Sequence, residues 1–173
     1  MVPDRQPILD GERVLLRPST PEDWDALFAV ASDPLIWEVH PAHDRWREEV
    51  FRPYFEGGLA GGGALTIIDK ASGQVIGSSR FDNWKPERDE IEIGWTYLAR
   101  SFWGGSYNAE IKRLMLDHIH RFVPTVVFTV GEGNIRSRKA MAKIGGVLRP
   151  GAPELRLMAG EMKPHVIYEI RRA

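Results

Sequence analysis

The stretch from Glu90 to Gly145 limits the folds open to this chain more than any other. In it Ile91, Ile93, Trp95 and Tyr97 alternate with Glu90, Glu92, Gly94 and Thr96, which is the period of a strand. A glycine-bearing turn follows, Trp103-Gly104-Gly105-Ser106-Tyr107. Asn108 to Phe122 then has helical periodicity, with Ile111, Leu114, Met115, Ile119 and Phe122 on one face and Lys112 and Arg113 off it. Thr125 to Val130 is almost continuously β-branched, as a central strand is. Asn134 and Ser137 open a short helix that Gly145-Gly146 stops. Strand, crossover helix and strand at this spacing form one βαβ unit, so its two strands run parallel.

The flanking sequence supplies antiparallel partners. Arg13 to Arg17 reads as a strand, and Thr20-Pro21-Glu22-Asp23 starts a helix with the apolar stripe Trp24, Leu27, Phe28 and Ala31. A second helix is expected from about Asp44 to Phe55, kinked or ended by Pro53 and closed by Gly57-Gly58. Ala64 to Ile68 and Val75 to Phe81 flank a Gly73 turn as a hairpin. Val147-Leu148 and Leu155 to Met158 read as one interrupted strand, and His165 to Ile170 as the last. The order β α α β β β α β α β β predicts an α/β fold, a mixed sheet with helices on both faces, in one domain spanning 1–173.

Composition narrows the function. A net charge of −1 points to neither nucleic acid nor a membrane surface as partner. The absence of cysteine removes disulfides, thiolate catalysis and zinc–thiolate sites, and fits a cytoplasmic location. No apolar run reaches membrane-spanning length, and Met-Val-Pro-Asp-Arg opens no signal peptide. No histidine pair has metal spacing with a carboxylate, so no metal is expected. Free amides at a helix start make the Gly104-Gly105 turn a candidate anion site. It is not a Rossmann fingerprint, which belongs on a first strand, nor a P-loop, which needs Gly-Lys-Ser/Thr.

Three segments together resemble the GCN5-related N-acetyltransferase (GNAT) superfamily, in particular its RimJ/RimL-like branch. They are LDGERVLLRPSTPEDWDALFAVASDP near the N-terminus, EIGW with FWGGSYNAE, and the Asn134-x-x-Ser137-x-x-x-Met141-x-x-x-Gly145 exit. The resemblance implies a mostly antiparallel, twisted mixed sheet of six to seven strands with about four helices, its fourth and fifth strands splayed. It further implies transfer of an acetyl group from acetyl-CoA to an amine. The amides from Gly104 to Ala109 (with Trp103, Gly105, Ser106, Tyr107 and Asn108 in the loop) would take the pyrophosphate. Thr96, Tyr97 and Leu98 would pair with pantetheine, Asn134 would contact that arm, and Arg136, Arg138 and Lys139 are candidates for the adenosine phosphates or for a solvated helix face. The chain departs from the family where Ser106 replaces a glycine of the loop. Met141 also stands where many members carry a proton-donating tyrosine.

For the chemistry, Glu92 is the base candidate. It lies fourteen residues before Ser106, a spacing shared with the strand glutamate of histone-type members, and Glu90 shares its face. Holding a lysine amine neutral at pH 7 costs roughly 4.6 kcal/mol, against about 1 for an α-amine, so an α-amine needs only a carboxylate acting through water. By the same resemblance Ser137 sits beside the thioester sulfur; it also reads as a first-turn residue. Trp37, His40, Trp46 and Trp84 are candidates for the acceptor pocket, with His40 and His43 also reading as plain loop histidines. Glu38, Asp44, Glu48 and Glu49 suit a cationic acceptor or a solvated face. The acceptor stays open between a protein N-terminal α-amine and a small amine. A non-catalytic acyl-CoA-binding module, and a longer donor such as succinyl-CoA, stand as alternatives. A homodimer is open, since exposed aromatics serve a dimer as well as a pocket.

Overall fold

The computed structural model describes residues 1–173. Nine strands form one sheet: β1 (Leu9–Asp10), β2 (Val14–Pro18), β3 (Ala64–Asp69), β4 (Val75–Lys85), β5 (Glu90–Leu98), β6 (Thr125–Gly131), β7 (Val147–Leu148), β8 (Glu154–Met158) and β9 (Glu161–Arg171). Their order is β1-β2-β3-β4-β5-β6-β9-β7, with β8 also on β9. Every pairing is antiparallel except β5–β6, the pair of the βαβ unit. The count exceeds six to seven because the ends are short. β7 and β8 lie in succession along one edge of β9, as an interrupted strand does.

The four helices are α1 (Trp24–Ala31), α2 (Glu48–Gly61), α3 (Ser106–Ile119) and α4 (Ile135–Lys143). Two clusters divide the core. Ile111, Met115 and Ile119 of α3 and Met141 of α4 join Val14, Leu16, Leu65, Ile67, Ile91, Ile93 and Val126. On the other face Leu27 and Ala31 of α1 and Phe51 of α2 pack with Trp37 and Tyr97. Glu110 ties α3 to the sheet, since its buried carboxylate accepts the amides of Arg13 (2.8 Å) and Val14 (2.9 Å).

Helix α2 differs from expectation. It starts four residues later than Asp44, runs through Pro53, Gly57 and Gly58, and ends at Gly62 in the left-handed conformation. The carbonyl that Pro53 cannot bond belongs to exposed Glu49, so its loss leaves no buried acceptor unpaired. Gly58 is covered by the Arg80 guanidinium, which a Cβ there would strike. Helix α3 begins at Ser106, two residues before Asn108.

Strand β5 carries the feature that opens the sheet. Trp95 has φ of +54°, rare and costly for a bulky side chain. The register with β4 slips there: Ser78 faces Tyr97, while Arg80 faces Gly94. This bulge reverses the side-chain alternation. Ile91 and Ile93 join the α3 cluster, yet Tyr97, at the same parity, joins the α1–α2 cluster. Thr96 now points to α3. The Arg80 guanidinium lies 5.1 Å from the Trp95 ring centroid, and the Tyr54 hydroxyl donates to the Trp95 carbonyl. Gly77 opposite is required, because a Cβ would collide with the Tyr97 carbonyl.

Candidate active site

Pairing between β5 and β6 stops at Glu92–Val127, although β5 continues to Leu98 and β6 to Gly131. Beyond that point the strands diverge around a cavity of about 540 Å³. The inner edge of β5 from Gly94 to Leu98 has no strand partner there and lines the cavity.

One mouth is built by the start of α3. Gly104 takes φ of +79°, Gly105 is the N-cap, and Ser106, Tyr107 and Asn108 form the first turn. Their amides are the unsatisfied donors that, with the helix dipole, bind anions. Ser106 is already helical, so a glycine at that point is not needed to make the turn. The Arg136 guanidinium stacks 3.7 Å from the centroid of the Trp103 ring, whose Nε1 donates to the Leu98 carbonyl at 2.8 Å. Lys139 and Lys143 also line this mouth, making it cationic.

On the α4 side Asn134 is buried and caps the helix, its Oδ1 accepting the Ser137 amide at 3.3 Å. The Ser137 side chain, in the first turn, lines the cavity and has no protein hydrogen-bond partner. Met141, also lining it, offers no proton.

The opposite mouth holds Trp37, His40, Arg45, Glu92, Arg156, Met158 and His165. Glu92 is buried; its Oε1 accepts Asn83 Nδ2 at 2.9 Å and Arg156 Nη2 at 3.2 Å. Its Oε2 has only a 3.5 Å contact to Arg156 Nη1, leaving lone-pair capacity toward the cavity. His40 Nδ1 accepts the Ala42 amide, so the ring proton sits on Nε2. Burial, then the positive charge of Arg45, pushes the His40 pKa down to about 3. His165 has the opposite tautomer, with Nδ1–H donating to the Lys163 carbonyl at 2.9 Å and Nε2 left as an acceptor. Burial lowers its pKa as well, although the Lys163 carbonyl opposes this.

Lys112, which the helical period sets off the apolar face of α3, is instead buried at 3% exposure. Its Nζ donates to Thr96 Oγ1 at 2.7 Å and lies 5.8 Å from the Phe128 centroid. No carboxylate pairs with it, and burial pushes its pKa down to about 7. Sequence polarity carries no sign of this, because the bulge that turns Thr96 toward Lys112 is not written in the alternation.

Several candidates fall elsewhere. Glu90 is held by Arg149 at 2.8 Å, beside Glu169, away from the cavity. Trp84 packs against the larger core cluster, and Trp46 is exposed with Arg47 over its ring. Tyr107 turns its hydroxyl to Asp69 at 2.8 Å. Arg138 is committed to the Tyr168 hydroxyl and the Glu132 carbonyl, both at 3.0 Å. Glu48 and Glu49 pair with Arg52 and Arg47. Arg45, Arg156 and His165 were not singled out from sequence, being remote in the chain from the motifs that mark the site. No cluster of three metal-ligating side chains is present, and no helix is long and apolar enough to cross a membrane.

The sheet thus opens between two parallel strands, with a helix start at one mouth that suits an anion and polar side chains at the other. The sequence pattern of the acetyltransferase (GNAT) domain matches residues 13–147, so the chain belongs to that family. Solved structures agree in fold. A GCN5-related N-acetyltransferase from Brucella melitensis is 22% identical with a TM-score of 0.81, covering 98% of this chain and 80% of that one. A putative acetyltransferase from T. thermophilus is 28% identical with a TM-score of 0.77, covering 95% and 88%. RimL, described as a ribosomal L7/L12 alpha-N-protein acetyltransferase in complex with coenzyme A, is 15% identical with a TM-score of 0.77, covering 95% and 98%.

Proposed function

We propose that this chain, acting as one domain, is an N-acetyltransferase that moves the acetyl group of acetyl-CoA to a primary amine, by direct attack in a ternary complex. The observation that carries the reading is the cavity through the sheet, with free helix amides at one mouth and Glu92 at the other. The pyrophosphate lies on the amides of Ser106 to Asn108 under Arg136. Pantetheine crosses along the open edge of Thr96 to Leu98, past Asn134. The acceptor enters from the side of Trp37 and His40.

The amine nitrogen attacks the thioester carbonyl carbon, the C–S bond breaks, and the CoA thiolate leaves with a proton. Glu92 takes the amine proton through water on its free Oε2 lone pairs. The unpaired Ser137 hydroxyl donates toward the sulfur, which needs little help because a thiol pKa is only about 8.5. No acyl-enzyme is invoked, since the chain has no cysteine and Ser137 has no histidine or carboxylate partner.

The acceptor is a protein N-terminal α-amine, as the RimJ/RimL-like sequence segments favour, or a small-molecule amine. Thiol release measured over a matrix of acetyl-CoA and amine concentrations tests the reading. Intersecting initial-rate lines, with rates reduced in Glu92→Gln, are expected. Tight CoA binding without release on any amine, unchanged in Glu92→Gln and Ser137→Ala, would instead mark a non-catalytic acyl-CoA-binding module. Faster release from succinyl-CoA would move the donor to a longer acyl chain.

A further inference from the structure

Charge at the acceptor mouth is lopsided. Its one carboxylate, Glu92, is already matched by Arg156. Its two histidines are held neutral near pH 7 by burial. That leaves Arg45, whose guanidinium has no ion-pair or hydrogen-bond partner in the protein and lines the cavity. Aromatic rings fix it in place: its centre lies 4.3 Å from the Tyr54 centroid and 5.3 Å from that of Trp37. Stacking satisfies the face of a guanidinium and leaves its N–H edge to seek acceptors. Asp44 Oδ1 and His120 Nε2 are the only fully enclosed side-chain polar atoms without a partner, so none of the Arg45 nitrogens is fully enclosed. The His40 ring, 5.3 Å from Trp37, adds an Nε2–H donor in the same neighbourhood.

From this geometry we infer that the acceptor is a small amine that also carries an oxyanion, a carboxylate or phosphate, received by the Arg45 guanidinium with His40 Nε2–H beside it. The inference rests on the acetyl-transfer reading and names its acceptor class. A planar fork with five donors matches a two-oxygen anion better than it matches a neutral group. Burial lowers the Arg45 pKa, with Arg80 adding to that and Tyr54, Asp44 and Tyr97 opposing it, so the guanidinium is a desolvated cation. A polyamine, with no anion to offer, would meet Arg45 as a like charge.

The test uses acceptor pairs that exchange the anion for a neutral group, with each rate referred to the free-amine fraction of that acceptor: glycine, β-alanine and γ-aminobutyrate against their carboxamides, and O-phosphoethanolamine against ethanolamine. Wild-type protein is expected to use at least one anionic member with kcat/KM about 10–100-fold above its neutral partner. The best pair tells carboxylate from phosphate and sets the spacing to the amine. In Arg45→Gln that ratio is expected to collapse toward one, mainly through KM, and Arg45→Lys to restore part of it. A wild-type ratio at or below one, or a ratio that survives in Arg45→Gln, overturns the inference while leaving acetyl transfer standing. If no acceptor releases thiol, acetyl transfer fails instead. Calorimetry with N-acetylated glycine, β-alanine and γ-aminobutyrate and with N-acetyl-O-phosphoethanolamine, each against its neutral counterpart, then decides separately. Equal binding of every pair, or a preference unchanged in Arg45→Gln, overturns the anion site.

Discussion

Replacing Lys112 by methionine should stabilise the protein at neutral pH and lose that advantage in alkali. The ammonium is buried with a threonine hydroxyl as its only hydrogen-bond partner, and its pKa falls from 10.5 to about 7. A drop of that size corresponds to about 5 kcal/mol against the charged form, and to about 4 kcal/mol at pH 7, where half the folded molecules hold Lys112 neutral. Methionine fits beside Phe128 and removes that cost, while losing a hydrogen bond of about 1 kcal/mol. The net expectation is a gain of about 3 kcal/mol at pH 7. Between pH 7 and 10.5 the unfolded chain keeps the lysine proton and the folded chain does not, so wild-type stability rises through that window. Urea unfolding of both proteins at pH 7 and pH 10 reads this directly, as a midpoint gap that is wide at the first and nearly closed at the second. A gap that does not change with pH would refute the reasoning, because Lys112 would then titrate as a surface lysine does.

Other consequences are equally specific. Gly77→Ala sets a Cβ against the Tyr97 carbonyl at the bulge, so a stability loss of about 3 kcal/mol and weaker acetyl-CoA binding are expected in denaturation and calorimetry. His40 should stay neutral by NMR at pH 5. Its depressed pKa means that folding stability contributed above about 6.5 is lost progressively as pH falls toward 3, and His40→Asn should flatten that loss. Asn134→Ala removes the cap of α4, costing about 1 kcal/mol, while Asn134→Asp retains it; urea midpoints compare the two.

The βαβ unit was legible because its first strand and its helix each have a strong period, its second strand is a β-branched run, and its turns carry glycines. The exit at Asn134 was legible because a capping residue and a stop at Gly145 bracket a short helix. What escaped the sequence follows from one residue. Ile91, Ile93 and Tyr97 look like a single face, but the bulge at Trp95 sends Tyr97 to the other side of the sheet. Alternation cannot register an extra residue when the letters on both sides of it continue the pattern. The same slip brings Thr96 to Lys112, which explains why a lysine off the apolar face of α3 lies in the cavity wall. Glu90 and Glu92 are likewise equal in sequence; Arg149 and Arg156 of the C-terminal segment separate them, one into an ion-pair network and one into the cavity. Pro53 does not end α2 and Gly57-Gly58 does not close it, since the one carbonyl that loses its helix bond is exposed and the helix can continue.

The central claim is that acetyl-CoA lies between the diverging ends of β5 and β6 with its pyrophosphate on the start of α3. Amide hydrogen exchange with and without acetyl-CoA measures that most directly. The account predicts slower exchange at Thr96 to Leu98 and at Ser106 to Asn108, with little change along β1 and β2. Unaltered exchange at both segments under saturating acetyl-CoA, or protection confined to another face of the sheet, would contradict it.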